Sequence, residues 1–234
     1  MYVVDGDGSS IEANRRAVHG VYELATSTGE SVVWVWIPRR QVAFGPRDVR
    51  HPGYADAADA ADQMGYRPVH RSVGGHPVAH TGSTLAFVRV TPIDDPRRGL
   101  QRRYDDAIEA IARAMSDLGV DVDFGEPPGA FCPGDHSLSA GGKIVGLAQR
   151  VTSEIAATSG IAIISGESTV AEVLTPVYDA LELPFDPSSV GSLEAAGGPD
   201  DLDIAARAVA RALRDGESPR PIAFERVSHP DEAV

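Results

Sequence analysis

The sequence contains one lysine and one cysteine in 234 residues. Lys and Arg together number 21, so the other 20 fixed positive side-chain charges are all arginines. Arginine is a planar fork that stays charged, whereas lysine is a compact ammonium on a flexible stem. Lys143 is therefore either a leftover surface residue or a residue kept for what only an ammonium can do. The single cysteine, Cys132, excludes an internal disulfide and suits a reducing compartment.

Long apolar runs and an excess of basic charge are also missing. No window approaches the ~18 apolar residues of a membrane span, and the N-terminus lacks the pattern of a signal peptide. Acids outnumber bases by 34 to 21, for a formal charge of −13. Such a surface disfavours nucleic acid and anionic membranes as partners. We therefore expect a cytoplasmic protein without either partner, and the loss of lysine beside abundant acids suggests a halophilic source.

Strand and helix patterns are mixed along the chain, which predicts an α+β fold with a mostly antiparallel sheet. The second strand is expected to be the hairpin partner of the first. Residues 1–215 are predicted to form a single domain, and 216–234 a loosely ordered tail, with no large C-terminal accessory domain. Strands are predicted at 31–37, 41–45, 84–91, 120–124, 137–140, 143–150 and 161–164, and helices at 9–25, 51–64, 100–118, 168–174, from 175 onward, and at 200–215.

A glycine-rich stretch, His70–Ser83, is a candidate ligand loop. Its paired Gly74 and Gly75 allow the backbone to approach a ligand closely and to present N–H groups. Arg71, just before them, can pair bidentately with a phosphate or a carboxylate. A β-bulge with an ordinary surface arginine explains the same residues equally well.

Three histidines in this stretch, His70, His76 and His80, raise the question of a metal site. Their spacing matches no helical pair of ligands, because Pro77 separates the last two. No cysteine-rich or carboxylate-rich pattern accompanies them. We therefore predict no metal site from these residues.

Cys132 and Lys143 form the second candidate site. A lone cysteine is most often a buried, inert thiol, and a nucleophilic one needs a neighbouring cation or histidine. Lys143 begins a predicted strand with small residues on both sides, which would leave room for a ligand. An ammonium held there can stabilise charge that develops during acyl transfer.

The two stretches together resemble the lipoate-protein ligase and octanoyltransferase family, which shares its catalytic fold with the biotin-protein ligases. That family has a strand signature Lys-Ile-x-Gly-x-Ala-Gln, which residues 143–149 match. Its glycine signature has the form Arg-Arg-x-Ser-Gly-Gly-Gly-Ala-Val-x-His. This chain matches the glycine signature at Arg71, Gly74, Gly75, Val78 and His80, and departs from it at Val73, His76 and Pro77. The resemblance extends from about Val32 to Ile164.

The resemblance implies a class II synthetase-like α+β domain, with a central mixed, mostly antiparallel sheet flanked by helices. It implies that Lys143 contacts the carbonyl and phosphate of an acyl-adenylate, or the thioester carbonyl in a transferase. The acyl tail would lie in an apolar slot walled by Trp34 or Trp36, Val73 and Val78. The implied substrate or adenylate site comprises Arg71, Gly74, Gly75, His76, Val78, His80, Ser83, Gly146, Ala148 and Gln149.

Two activities follow from the resemblance, and we rank the ligase first. A ligase would make an acyl-adenylate from lipoate or octanoate with ATP and Mg²⁺, whereas an ATP-independent transferase would carry the acyl group on Cys132. In both, the acceptor is a lysine on a lipoyl carrier domain of a 2-oxoacid dehydrogenase or on a glycine-cleavage H-type protein. The missing accessory domain indicates either a separate partner chain or a transferase.

A third possibility is a non-catalytic module that binds the acyl group or the carrier, which the altered glycine signature supports. A biotin ligase is disfavoured, because the Gly-Arg-Gly-Arg-type loop of that branch is missing.

Overall fold

A computed structural model describes residues 1–229, which form two sheets and six helices of five or more residues. The strands are β1 Tyr2–Asp5, β2 Val32–Trp36, β3 Gln41–Phe44, β4 Arg67–His70, β5 Val78–His80, β6 Thr84–Pro92, β7 Asp123–Phe124, β8 Ser137–Ser139, β9 Lys143–Val151, β10 Ile155–Ile163 and β11 Arg220–Ala223. The helices are α1 Ile11–Thr28, α2 Tyr54–Gln63, α3 Leu100–Asp117, α4 Glu167–Ala180, α5 Leu202–Leu213 and α6 Phe224–Ser228.

The larger sheet has eight strands in the order β11-β1-β2-β6-β10-β9-β8-β7. β1 is parallel to both of its neighbours, and every other pairing in this sheet is antiparallel. A smaller sheet has the order β4-β3-β5. The predicted α+β class, with a mixed and mostly antiparallel sheet flanked by helices, is confirmed.

Alternating side chains of the large sheet supply its two buried faces, as the period of two in a strand requires. Val33 and Phe87 face α3 and α5, whereas Trp34 and Val88 face α1 and α6. At the other end of that second face, Ile163 of β10 packs with α2, α4 and the small sheet. The site described below lies beside this third cluster, to which Phe131 also belongs.

The predicted hairpin between the first two strands is wrong. Both edges of β2 are already occupied, because β1 pairs with one side and β6 with the other. β3 therefore leaves the large sheet and pairs with β4 and β5. This separation brings the glycine-rich stretch, which runs from β4 to β5, into the small sheet.

The two helices predicted around Thr175 form a single helix, α4, with Pro176 inside it. The prediction followed from the proline, which removes one helical N–H donor. A continuous row of buried side chains on both sides of Pro176, including Val173 and Tyr178, holds the helix together. That packing outweighs the lost hydrogen bond and places Tyr178 at the candidate site.

The prediction of a loosely ordered tail is wrong for the part of it that the structure describes. Residues of β11 pair in parallel with β1, and α6 packs against α1. Val227 approaches α1 so closely that a Cβ on Gly20 would lie 1.8 Å from its carbonyl oxygen. Residues 230–234, which the same prediction covered, lie outside the described residues.

Within residues 1–229, no helix combines the length and the apolar character that crossing a membrane requires.

Replacing Phe224 with alanine tests the structural role of the tail. Phe224 is 7% exposed in the cluster under α1, so we expect Phe224→Ala to lower the free energy of unfolding by about 3 kcal/mol. Phe124→Ala is the matched control, because Phe124 is 60% exposed and should change that free energy by less than about 0.5 kcal/mol. Urea denaturation measures both. If both substitutions change the free energy of unfolding by equally small amounts, the original prediction of a loosely attached tail is correct.

Candidate active site

Lys143 is buried at the start of β9, with 2% of its side chain exposed. Its Nζ donates to Glu126 Oε1 at 3.1 Å, to the Phe131 carbonyl at 3.0 Å and to the Cys132 carbonyl at 2.9 Å. These acceptors match the three N–H donors of an ammonium. Lys143 is thus not a surface leftover, and it anchors the loop between β7 and β8, residues 125–136, which we call the Cys132 loop.

Glu126 balances this buried charge, and the sequence analysis missed it. Its second carboxylate oxygen accepts from the backbone N–H of Gly134 at 2.6 Å and from Ser137 Oγ at 3.1 Å. A buried ammonium needs such a partner, because an unpaired charge is costly to remove from water. The signal in the sequence was one acid in a stretch of glycine and proline just before the cysteine.

Gly142 and Gly146 do not leave room for a ligand beside Lys143, contrary to the expectation, whereas Gly141 faces open space. A Cβ on Gly142 would lie 2.6 Å from the backbone nitrogen of Gly191, whose N–H donates to the Lys143 carbonyl. A Cβ on Gly146 would lie 3.1 Å from Lys143 Cε. Gly142 is therefore small because a neighbouring backbone lies against it. Gly146 is small because the Lys143 side chain lies against it.

Cys132 is a half-buried free thiol on a backbone held in the left-handed region, with a φ of 44°. Its N–H donates to the Tyr178 hydroxyl at 2.6 Å, which in turn donates to the Pro77 carbonyl at 3.0 Å. Burial, and then proximity to Cys132, raises the pKa of Tyr178 well above its ordinary value. Such a backbone conformation is unfavourable for a residue with a Cβ, and it persists where the surroundings enforce it. Lys143 and Tyr178 both do so here.

The glycine-rich stretch reaches the same thiol. Arg71 Nη2 donates to the His76 carbonyl at 2.6 Å and lies 3.5 Å from Cys132 Sγ. Gly75 has a φ of +95°, and a Cβ there would lie 2.6 Å from Sγ. Gly75 is therefore required by close approach, whereas Gly74 faces open space. The two stretches singled out in the sequence do meet, and Cys132 is where they meet.

Arg71 has a buried donor that is unused. Its Nε is buried and has no hydrogen-bond partner within residues 1–229. A buried N–H without an acceptor is uncommon, since its desolvation is not repaid. This atom is a point at which a bound carboxylate or phosphate oxygen would gain a hydrogen bond.

The three histidines of this stretch have separate partners rather than a common centre. His76 Nδ1 lies 2.9 Å from Asp48 Oδ1, and His70 Nε2 lies 2.7 Å from the Tyr54 hydroxyl. His80 is buried against Thr84, and burial, followed by the charge of Arg71, lowers its pKa to about 3. Over the described ranges, no group of three His, Cys, Asp or Glu side chains is arranged to hold a metal ion.

Some predicted site residues are engaged elsewhere. Gln149 accepts from Arg103 and donates to the Leu100 carbonyl. Both partners belong to the first turn of α3, which therefore holds the Gln149 amide. It lies six residues beyond Lys143, or about 20 Å along an extended strand. Ala148 pairs with Ser159 in mid-sheet, and the Ser83 carbonyl accepts from the backbone after β10.

The side chains predicted to wall one apolar slot lie in different core clusters. Val78 is buried in the cluster beside the site. Trp34 and Trp36 share one face, as predicted, and their rings stack with centroids 4.0 Å apart. However, Trp34 is fully buried in the separate cluster under α1, and its Nε1 donates to the Gly6 carbonyl. It does not wall a slot next to Cys132.

Comparisons with known proteins show which family this chain resembles. The family model described as the lipoyl protein ligase A/B catalytic domain matches residues 20–213. Among curated proteins, the octanoyl-[GcvH]:protein N-octanoyltransferase of Geobacillus kaustophilus is 30% identical over 132 residues, which cover 54% of this chain and 47% of that protein. The match thus spans about half the length of that relative.

Two solved structures share the fold. A lipoate-protein ligase A bound with ATP superposes with a TM-score of 0.78 at 16% identity, covering 98% of this chain and 92% of that one. The structure described as a bi-partite lipoate protein ligase and its E2 lipoyl domain from Thermoplasma acidophilum has a TM-score of 0.69 at 14% identity, covering 98% and 90%. The family match over most of the sequence is decisive, and the chain belongs to the lipoyl protein ligase A/B catalytic domain family.

Proposed function

We propose that this chain is an acyltransferase that moves an octanoyl or lipoyl group onto a carrier lysine through a thioester on Cys132. The observation that carries the proposal is the environment of Cys132, whose sulfur lies beside Arg71 on a backbone fixed by Lys143 and Tyr178. This reverses the order inferred from the sequence, in which the ligase came first. The similarity to an octanoyl-[GcvH]:protein N-octanoyltransferase supports the same ranking.

The surroundings of the thiol suit a nucleophile better than an inert cysteine. The Arg71 guanidinium lies 3.5 Å from the sulfur, where it can stabilise negative charge that develops during the reaction. Cys132 is half-buried rather than fully enclosed in the core. An inert structural cysteine would require neither the left-handed backbone at residue 132 nor a glycine against its sulfur.

Lys143 is the group we assign to the developing negative charge on the acyl carbonyl. Its ammonium touches the Cys132 carbonyl and so lies next to the nucleophile's own backbone. All three of its donors are occupied in this structure. In the proposed mechanism, the acyl oxygen takes the place of one of these acceptors during attack, and a fixed positive charge there stabilises the transition state.

The ligase remains the second candidate, and the unpartnered Arg71 Nε favours it. That donor would suit the phosphate or carboxylate of an acyl-adenylate. Mg²⁺ commonly binds through substrate phosphates, waters and one or two carboxylates, so it needs no dedicated cluster in the protein. In this route Arg71 would bind the adenylate and Lys143 its carbonyl, with lipoate or octanoate as the acid.

The proposed acceptors are lipoyl carrier domains and glycine-cleavage H-type proteins. The curated relative's name contains GcvH, and a structural neighbour is described together with an E2 lipoyl domain. That neighbour is also described as bi-partite, which keeps a separate accessory chain as a proposal for the ligase route. The formal charge of −13 predicts faster association with carriers that present basic residues around the acceptor lysine.

Replacing Cys132 with serine separates the two routes. With an octanoylated H-type protein as donor and a lipoyl domain as acceptor, we expect transfer without ATP, and a loss of about two orders of magnitude or more in Cys132→Ser. Transfer is measured by the mass of the acceptor. The comparison arm supplies octanoate, ATP and Mg²⁺ instead of the donor. Activity only in that arm, unchanged in Cys132→Ser, would establish the ligase, and inactivity in both would support a non-catalytic binding module.

Replacing Lys143 with methionine tests its assigned role. Methionine keeps most of the length of the side chain and removes the charge, so we expect the transfer rate to fall by about 10²–10³-fold. Glu126→Gln is the comparison variant, because it breaks the ion pair and leaves the ammonium. We expect it to lose less activity than Lys143→Met. If both variants lose the same amount, Lys143 acts only as an anchor of the Cys132 loop.

A further inference from the structure

Tyr178 bonds the backbones of the two segments that meet at Cys132. Its hydroxyl accepts from the Cys132 N–H at 2.6 Å and donates to the Pro77 carbonyl at 3.0 Å. Tyr178 is 1% exposed, and its ring packs in the cluster beside the site, with the Phe185 ring 5.0 Å away between centroids. The single proton of the hydroxyl is engaged and the group is enclosed in the core, so any effect of Tyr178 on a reaction passes through Cys132.

The hydroxyl of Tyr178 retains its proton in this environment. Burial, and then proximity to Cys132, raises the pKa of Tyr178 well above its ordinary value. A neutral hydroxyl can donate and accept at the same time, which is what its two contacts require. Tyr178 is therefore a fixed bridge between two backbones and not a carrier of protons.

This bridge joins the Cys132 loop to the glycine-rich stretch at a point without spare room. The Cys132 sulfur occupies the space that Gly75 leaves, since a Cβ there would lie 2.6 Å from Sγ. Arg71 Nη2 joins the same segments, because it donates to the His76 carbonyl and lies 3.5 Å from the sulfur. The next carbonyl along the stretch is the one that Tyr178 holds. Arg71 thus bridges the segments through the sulfur, and Tyr178 bridges them through the backbone.

Tyr178 and Lys143 restrain opposite ends of the same strained residue. Cys132 has a φ of 44°, which is unfavourable for a residue with a Cβ. Lys143 bonds its carbonyl at 2.9 Å, but in the proposed mechanism the acyl oxygen replaces one of the acceptors of Lys143. Tyr178 bonds the Cys132 N–H, which takes no part in that exchange. The restraint from Tyr178 therefore persists while the lysine changes its partner.

We propose that Tyr178 is the positioning residue of the nucleophile, and that its hydroxyl holds the Cys132 sulfur between Gly75 and Arg71 throughout acyl transfer. The inference rests on the proposed Cys132 route and adds the residue that fixes the thiol. Without the hydroxyl, the Cys132 backbone loses a restraint on its left-handed conformation, and its relaxation moves the sulfur. A displacement of about 1 Å at a reacting atom can cost about 10² in rate.

The test measures the acylation of Cys132 in the full chain by the octanoyl thioester of a small thiol, without an acceptor. In this half-reaction the Cys132 sulfur bonds the octanoyl carbon, the carbon–sulfur bond of the donor breaks, and the small thiol leaves with the proton that Cys132 gives up. Rapid quenching in acid, followed by intact mass, gives the rate constant and the final fraction of chains modified. Loss of folded molecules lowers that fraction, whereas a misplaced thiol lowers the rate constant.

Replacing Tyr178 with phenylalanine removes the hydroxyl and keeps the ring. At saturating donor, we expect the rate constant of Tyr178→Phe to fall by about 10–10²-fold, with the final modified fraction equal to that of the wild type. The donor concentration that gives the half-maximal rate should change by less than about twofold, because the loss falls on the chemical step and not on binding of the donor.

Two control variants separate the hydroxyl from a general loosening of the core. Tyr54→Phe is the matched change, because its hydroxyl bonds His70 and its ring packs against the same core cluster. Phe185→Leu disturbs the packing of the Tyr178 ring and leaves the hydroxyl in place. Both controls should acylate at the wild-type rate. Urea denaturation of all three variants gives the stability that each has lost.

An unchanged rate constant in Tyr178→Phe would overturn the proposal and leave the hydroxyl with a structural role only. Similar slowing of both controls would overturn it too, as would weaker donor binding at an unchanged maximal rate. If Tyr178→Phe does not fold, hydrogen exchange at the Cys132 N–H is followed by NMR in the wild-type chain, before and after acylation. The proposal requires exchange about 10²-fold or more slower than in an unstructured peptide in both states, and exchange at the peptide rate in either would contradict it.

Failure of the Cys132 route itself has a different appearance. If Cys132 carries no acyl group, the wild-type chain and every variant remain unmodified at this residue. If only the role of Tyr178 is wrong, the wild type is acylated and Tyr178→Phe is acylated equally fast. The two failures are thus distinguishable in one set of assays.

Discussion

The buried ammonium of Lys143 is the constraint on which the site depends. A charge that is 2% exposed must be neutralised and fully hydrogen-bonded, and this one is, by one carboxylate and two carbonyls. Both carbonyls belong to the Cys132 loop, and the carboxylate begins it. The lysine therefore determines where the cysteine lies, even though the two residues are in different elements.

The site is assembled where the two sheets and α4 meet, rather than on one element. The large sheet contributes Lys143, the stretch between β4 and β5 contributes Arg71, and α4 contributes Tyr178. Each reaches Cys132 or its backbone by a direct contact. Such an arrangement tolerates an unfavourable φ at Cys132, because several independent contacts enforce it.

Most helices and several longer strands could be predicted from local patterns, whereas β1 and β11 were not predicted and β10 was predicted only at its end. The unusual single residues could also be recognised. Lys143, Cys132 and Arg71 stood out in the sequence, and the structure brings them together. Glu126, Asp48 and Tyr178 were not singled out, because an acid or a tyrosine has no distinctive spacing until its partner is known. Each lies in a different segment from the residue it holds. The glycine and proline around Glu126 were the one hint.

The errors in the fold have the same origin. The hairpin prediction failed because the pairing of β2 with both β1 and β6 is a long-range property. The tail was expected to be loose because proline and charge dominate its composition, yet Phe224 and Val227 supply the apolar contacts that hold it. Gln149 matches the family signature and was predicted to line the substrate site, but its amide is hydrogen-bonded to Arg103 of α3. The halophilic source and the absence of an accessory domain remain predictions.

The central claim is that Cys132 carries the acyl group, and intact-mass spectrometry tests it most directly. The wild-type chain would be mixed briefly with an octanoyl donor, without ATP and without an acceptor, and then quenched in acid. The account predicts a mass increase of one octanoyl group, located on Cys132 by peptide mapping and removed by hydroxylamine. An unmodified cysteine in a chain that goes on to transfer octanoate when the acceptor is added would contradict it.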